Sequence, residues 1–419
     1  MATPAPPASA AAPKVADVAA VEAPLVASEA RSRRGWSAFG WLWPESGALS
    51  PIPVLDGIRA LAVLLVMFFH AWHNQPGMLE PGQAVDSSPI WYARGGLDTF
   101  FVLSGFLLFL PYARWAFGLS TAPSARKFYK RRILRVGPAY WLCLALLVST
   151  APLTTPSLAD ALVHVPFVFN FVPASIFSIN GVFWTMAVET QFYAVLPLIG
   201  WTLHRLAARI GVLKAAGALF AGMLVISGAS GLANRLAGVE QIPVLSGLAG
   251  QRSMSFYLAV FGSGIAVSVV FTYLTSVAIL TIDQTRLLRA VAIVCVVLAV
   301  AVGVGFAFKP SIIRVEAGRN VLYGGVFAAL LFGVLLAPPA WGWIFRTPVV
   351  RFIGLISYSL YLWHTIVLDW IVGWIPHSVS SLDRVLIGFG FELLLAVPVA
   401  YVSYLVAERP FMMARRRAH

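Results

Sequence analysis

Long uncharged apolar runs recur along this chain, and they constrain its fold more than any other feature. Leu61 to Phe69, Val291 to Phe308 and Leu393 to Val406 are examples, separated by short polar stretches that carry most of the arginines. Roughly 20 apolar residues cross a bilayer as a helix, because a helix satisfies its own backbone N–H and C=O groups where no water is available. Only 11% of the 419 residues are charged and 59% are hydrophobic, against about 25% charged in an ordinary soluble domain. Short alternating strands, the mark of a membrane barrel, are not evident. The expected fold class is all-α and integral to the membrane.

About ten spans can be laid out, at 54–73, 95–113, 136–150, 182–203, 213–232, 254–279, 288–308, 321–337, 353–374 and 385–406. Basic loops stay on the cytoplasmic side. The loop 114–135 holds Arg114, Arg126, Lys127, Lys130, Arg131, Arg132 and Arg135, whereas 74–94 holds Glu80, Asp86 and a single arginine. The first is therefore expected inside and the second outside. Propagating that choice puts Arg205, Arg209 and Lys214 inside, then Arg286 and Arg289, then Arg346 and Arg351, then Arg415 to Arg417. An even number of spans returns both termini to the cytoplasm. Val163 to Val172 is apolar but short and broken by Pro166, so it is expected as an outer interfacial or re-entrant segment.

Residues 1–50 are rich in Ala, Pro and Val, with a basic patch at Arg31, Arg33 and Arg34; they are expected to be a disordered cytoplasmic tail. Residues 51–412 form the expected transmembrane domain, and 413–419 a short basic cytoplasmic tail. The net charge of +13 lies in short inter-helix loops and at the two ends, which argues for topology and against nucleic acid as a partner. Cys143 and Cys295 sit inside apolar runs, so neither a structural disulfide nor a metal site is expected. Glycine-rich phosphate loops of the Walker or dinucleotide kind are absent, so no nucleotide-hydrolysing motor is indicated.

A charge at the centre of a membrane helix costs roughly 2.5–3.5 kcal/mol on insertion scales, so intramembrane Arg, His, Asp and Glu are candidate functional groups. The first span holds two, Arg59 and His70. Eleven residues apart, they lie about 20° from in phase and roughly 16 Å apart along a helix axis, hence on one face at two depths. With the N-terminus inside, Arg59 lies near the cytoplasmic end and His70 near the outer end. Asp98 opens the second span and Glu189 lies about two turns into the fourth, so both are expected at the outer level, where either carboxylate could orient His70. The alternatives are plain ones: a snorkelling Arg59, a hydrogen-bonded core His70, a helix cap at Asp98 and a structural ion pair at Glu189. Arg132 and Arg135 are three apart and share a helix face if the third helix begins there; with Arg131 they would make a phosphate site at the cytoplasmic surface, unless the cluster serves topology alone.

Six stretches occur in order: Leu55-Asp56-Gly57-Ile58-Arg59-Ala60 with His70 after it; Gly96-Leu97-Asp98-Thr99-Phe100-Phe101-Val102-Leu103-Ser104-Gly105-Phe106; Phe128-Tyr129-Lys130-Arg131-Arg132-Ile133-Leu134-Arg135; Phe183-Trp184-Thr185-Met186-Ala187-Val188-Glu189-Thr190-Gln191-Phe192-Tyr193; Ile356-Ser357-Tyr358-Ser359-Leu360-Tyr361-Leu362-Trp363-His364; and Glu408-Arg409-Pro410-Phe411. In this order the chain resembles the acyltransferase type 3 family of multispanning bacterial membrane O-acyltransferases, over nearly all of residues 51–412. The resemblance maps the family's Arg-to-His motif onto Arg59 and His70, its arginine pair onto Arg132 and Arg135, and its acidic motif onto Glu189. Two departures stand out. Thr190 replaces a second Glu that many members carry, which weighs against a mechanism needing two adjacent carboxylates, and no soluble domain is expected after the last span.

The resemblance implies a short acyl group, acetyl or similar, moved from cytoplasmic acyl-CoA to a hydroxyl of an envelope glycan or glycolipid at the outer side of the plasma (inner) membrane. Arg59, Arg131, Arg132 and Arg135 would handle the donor, while His70, Asp98 and Glu189 would form the catalytic set. Either His70 acts as general base or it carries the acyl group itself. Tyr358, Ser104 and Trp184 are candidate oxyanion donors, His73 at most an acceptor contact, and His364 a structural or pocket-lining group near the level of His70. Acceptors such as macrolides, and a transporter of a lipid-linked sugar or acyl donor, are the competing readings.

Overall fold

The computed structural model describes residues 52–73, 95–150, 158–308, 316–375 and 381–412. The tails expected at 1–50 and 413–419, and the acidic loop at 74–94, lie outside the described residues. Helices dominate: α1 Pro53–His73, α2 Gly95–Ala116, α3 Ala125–Thr150, α4 Leu158–His164, α5 Trp184–Ile210, α6 Val212–Ala237, α7 Leu245–Ala249, α8 Met254–Ser276, α9 Ile282–Phe308, α10 Glu316–Leu336, α11 Pro348–Leu355, α12 Ser357–Ile371 and α13 Ser381–Ser403. Among the described residues there is no strand.

Seven helices are long and apolar enough to cross a membrane, or up to eight if the bent pair of α11 and α12 counts as one span. That pair turns by 75° at Ile356. The remaining two segments expected as spans are helical as well: α5 carries Glu189, Arg205 and Arg209 along its length, and the apolar part of α10 is the shorter stretch Asn320–Leu336.

One boundary differs from expectation. The basic stretch up to Arg135 is helix from Ala125 onward and not loop, which shortens the expected 114–135 loop to residues 117–124. Ser124 starts it by accepting from the Lys127 amide at 3.4 Å, and Lys, Arg and Leu are good helix formers even where they face water. The apolar segment around Pro166 forms the short α4 followed by 3-10 turns at Phe169–Phe171 and Pro173–Ser175. The His164 ring stacks on Phe169 with centroids 3.9 Å apart, and burial holds its pKa below the ordinary imidazole value.

Helix α2 is central. It packs closely against α8 because Gly105 and Gly264 present no side chain: a Cβ on Gly105 would collide with the Phe261 carbonyl, and one on Gly264 with the Val102 carbonyl. Phe101, Phe192 and Phe261 fill the space beside that seam, with the Phe192 and Phe261 rings 3.9 Å apart. Between helices in a bilayer such rings stabilise by close van der Waals packing and not by leaving water. The Phe192–Phe261 contact joins α5 to that seam.

Candidate active site

Two cavities lie along the bundle. The smaller, about 110 Å³, gathers Arg59 from α1, Ser104 from α2, Arg132 and Arg135 from α3, Glu189 and Tyr193 from α5. The larger, about 720 Å³, is lined by His70 and His73 from α1, Trp184 from α5, Asn180 and Arg252 from the connecting segments, and Thr365 and Asp369 from α12. Leu97, Thr185 and Tyr361 line both. The cavities therefore meet at one wall, where the Thr185 and Tyr361 hydroxyls stand 2.8 Å apart and each also reaches the Val182 carbonyl, at 3.0 and 3.2 Å.

The charges of the arginine cavity are held by neighbours. Asp56, fully inside the bundle, accepts from Arg59 at 3.2 Å and faces Arg351 at 3.6 Å. Arg135 pairs with Glu408 at 2.8 Å. Glu408 sits on a π-turn, Tyr404–Glu408, that ends α13, and its other oxygen accepts from the Ser359 hydroxyl at 2.6 Å and the Ser359 amide at 3.2 Å. The break at Ile356 makes this possible: it exposes the first amides of α12, and a carboxylate is the natural partner of a helix N-terminus. Glu189 accepts from the Ser104 hydroxyl at 2.5 Å. Arg132 differs from the others. Its guanidinium stands 5.9 Å from the Tyr193 ring centroid, and its buried Nε has no hydrogen-bond partner among the described residues.

In the histidine cavity, His70 Nδ1 lies 2.9 Å from the Val66 carbonyl and 3.3 Å from His364 Nε2. His364 Nδ1 lies 2.8 Å from the Tyr361 carbonyl. A carbonyl can only accept, so both Nδ1 atoms carry the proton. His364 Nε2 then faces the His70 N–H as an acceptor, and the unprotonated nitrogen of His70 is Nε2. This tautomer is the one a general base at Nε2 requires. Nearby, the Asn180 side chain accepts from Thr365 at 3.2 Å and from the Val182 amide at 3.0 Å.

The expected site residues divide between the two cavities. Arg59, Arg132 and Arg135 come together as the sequence suggests. Arg131 does not join them: it lines neither cavity, since adjacent helical positions diverge by about 100°. Glu189 lies with the arginines and not at the level of His70, because α5 begins at Trp184 and carries Glu189 a full turn past the junction residue Thr185. Asp98 is buried at the start of α2 and lines neither cavity. Of the candidate oxyanion donors, Ser104 is bonded to Glu189, Tyr358 donates to the Val136 carbonyl at 2.7 Å, and Trp184 lines the histidine cavity. Sequence reasoning gave no role to Thr185, Tyr361, Asn180, Tyr193 or Arg252. Arg252 carried a usable signal, an arginine in a segment that the topology places outside.

A family model described as an acyltransferase domain matches residues 52–407. Among curated proteins, the chain is 27% identical over 399 residues to a Staphylococcus aureus (strain COL) protein named "Putative O-acetyltransferase", covering 86% of this chain and 57% of that one. A protein of the same name from strain MSSA476 is 26% identical with the same coverage. The O-acetyltransferase OatA of strain COL is 28% identical over 179 residues, covering 38% of this chain and 26% of its own. The chain thus spans a little over half the length of the first two relatives. No solved structure matches.

Proposed function

Because the chain belongs to the acyltransferase family whose domain it matches over residues 52–407, we propose that it is a membrane O-acyltransferase carrying an acetyl or similar short acyl group from cytoplasmic acyl-CoA to a hydroxyl of an envelope glycan or glycolipid at the outer side of the plasma membrane. In this reading ten helices lie in the bilayer, both termini are cytoplasmic, and residues 1–50 and 413–419 are tails to the 51–412 domain. The observation that carries the reading is the shared wall at Leu97, Thr185 and Tyr361, which joins a cavity walled by arginines to one that holds an imidazole in base-competent form.

The chemistry follows from that arrangement. Drug-sized ligands fill pockets of roughly 300–1,000 Å³, so a 110 Å³ cavity accepts only the slender end of the donor, the acyl thioester and the tip of its pantetheine arm. The phosphates then fall toward the mouth, where Arg132 supplies positive charge without a carboxylate in contact and where Lys127 and Lys130 of the same helix are exposed. Arg59, held by Asp56, lines the path. The thioester carbonyl reaches the shared wall, and the acceptor hydroxyl approaches from the histidine cavity. His70 Nε2 takes the hydroxyl proton as the oxygen attacks the carbonyl carbon. The tetrahedral intermediate collapses by breaking the C–S bond, and the departing thiolate takes the proton back from His70 to leave as CoA. The positive charge that His70 gains in passing is shared with His364 through the Nδ1–H contact.

The test uses purified full-length protein in detergent with radiolabelled acetyl-CoA and envelope glycan extract. Acceptor-dependent release of CoA and label in the glycan fraction, without any membrane gradient, are expected. Acetyl-CoA left intact under those conditions would refute the reading and favour a transporter.

A further inference from the structure

Beside the histidine cavity lies a third, of about 430 Å³, lined by Pro173, Phe177, Glu240, Gln241, Gln251 and Arg252 among others. Phe177 and Arg252 line both it and the histidine cavity, so the two spaces adjoin across that pair. We propose that this third cavity is a second acceptor subsite, which seats the sugar next to the one being acylated and makes the acceptor an oligosaccharide of at least two units. The inference rests on the reading above that the acceptor is a glycan.

The dividing pair is built, and it is electrically balanced. The Arg252 guanidinium stands 5.0 Å from the Phe177 ring centroid and donates to Glu240 at 2.8 Å. Glu240 also accepts from the Gln251 amide at 3.3 Å. Asn170 ties both loops to the bundle: it donates to the Arg252 carbonyl at 3.0 Å, accepts from Gln191 of α5 at 2.9 Å, and its own carbonyl accepts from Ser246 at 2.9 Å. Asn170 is completely buried, so the platform cannot shift without breaking interior hydrogen bonds, which cost about 1–3 kcal/mol each to leave unmade.

Its chemistry selects a neutral polyol. An arginine already neutralised by a carboxylate is a weak trap for phosphate, yet the guanidinium and carboxylate planes still offer paired donors and acceptors to vicinal hydroxyls. Phe177 is 51% exposed, and the apolar C–H face of a pyranose ring stacks on an aromatic ring left open in this way. A lipid tail would meet glutamine amides and a carboxylate on the same walls. At 430 and 720 Å³, each cavity falls within the range of about 300–1,000 Å³ that holds a small-molecule unit, and the shared pair sets where one unit ends and the next begins.

Direct binding tests this apart from catalysis. Neutral oligosaccharides of one to four units, each with its own monosaccharide, would be titrated calorimetrically onto detergent-purified full-length protein. The wild type should bind at least one oligosaccharide about tenfold or more tightly than its monosaccharide. Phe177→Ala and Gln241→Ala should shrink that preference to about threefold or less, Phe177→Tyr should restore it, and CoA affinity should stay at the wild-type value as the check on folding. Equal affinity for monomer and oligomer, a preference untouched by both alanine variants, or binding of no member of the series would overturn the inference. Failure of the wild type to consume acetyl-CoA would instead sink the proposed function and leave the binding comparison standing.

Discussion

The arginine and histidine cavities share a wall, yet they are furnished by opposite means. In the first, most of the charged side chains are fixed by a partner: Arg59 by Asp56, Arg135 by Glu408, Glu189 by Ser104. In the second, Arg252 and Asp369 stand on a wall otherwise made of imidazole, amide, hydroxyl and aromatic groups, in a space more than six times larger. The difference follows from the solvent. A charge inside the membrane must be matched or it moves to the surface, so a charged cavity is small and rigid, suited to one invariant donor. A cavity with fewer charged walls carries less of that constraint and can be roomy, suited to acceptors of varied shape.

If that contrast is right, damage to the two cavities should separate cleanly in kinetics. The largest effect belongs to His70. His70→Ala or His70→Gln should lower acyl transfer by about 10²–10⁴-fold, the usual range for losing a general base, with CoA affinity little changed in equilibrium titration. His73→Ala should keep measurable turnover in the same single-turnover assay. If His70→Ala transfers at a substantial fraction of the wild-type rate, the base lies elsewhere.

Next in size is the donor side. Arg132→Ala should raise the dissociation constant for CoA by about tenfold or more, the scale of one or two charge-assisted contacts to phosphate. Arg132 is the cleaner reporter than Arg135. Removing Arg135 strands the buried Glu408 carboxylate, and stranding one partner of a buried pair costs about 3–5 kcal/mol of stability. Thermal unfolding should therefore show Arg135→Ala markedly destabilised and Arg132→Ala close to wild type. Two variants with the same CoA affinity as wild type would return the cluster to a topological role.

A smaller effect is expected from His364. His364→Phe fills the space without a ring nitrogen, so His70 keeps the Val66 carbonyl and loses only the acceptor beyond it. Transfer should fall about tenfold with KM for both substrates near wild type. An unchanged rate would confine His364 to packing.

How much of this was legible in the sequence depended on periodicity. The apolar runs gave the helices, and an eleven-residue interval on one helix was enough to put Arg59 and His70 on one face. Arg132 and Arg135 were placed by the same reasoning. What failed was depth and partnership. Glu189 was assigned to the level of His70 because it lies about two turns into its span, and no pattern within α5 reveals that its side chain joins the arginine cavity instead. The pairing of His70 with His364 joins residues 294 positions apart, and only the 75° break at Ile356 brings α12 to that position. The link between Arg135 and Glu408 depends likewise on a π-turn, which leaves no periodic trace. The helical start at Ala125 was legible only as a condition on Arg132 and Arg135 sharing a face, because exposed basic residues read as loop in a chain where helices are otherwise apolar.

The central claim is that donor and acceptor enter from opposite sides and meet at Leu97, Thr185 and Tyr361. Sidedness in proteoliposomes tests it most directly. Protein orientation would be fixed beforehand by labelling Ser124→Cys, expected on the cytoplasmic face, and Ser87→Cys, expected on the outer face. Acetyl-CoA and a glycan acceptor would then be supplied on the same face or on opposite faces of sealed vesicles. The account predicts acylated glycan only when acetyl-CoA is on the Ser124 face and the acceptor on the Ser87 face. Product formed with both substrates on one face, in vesicles shown to be sealed, would contradict it.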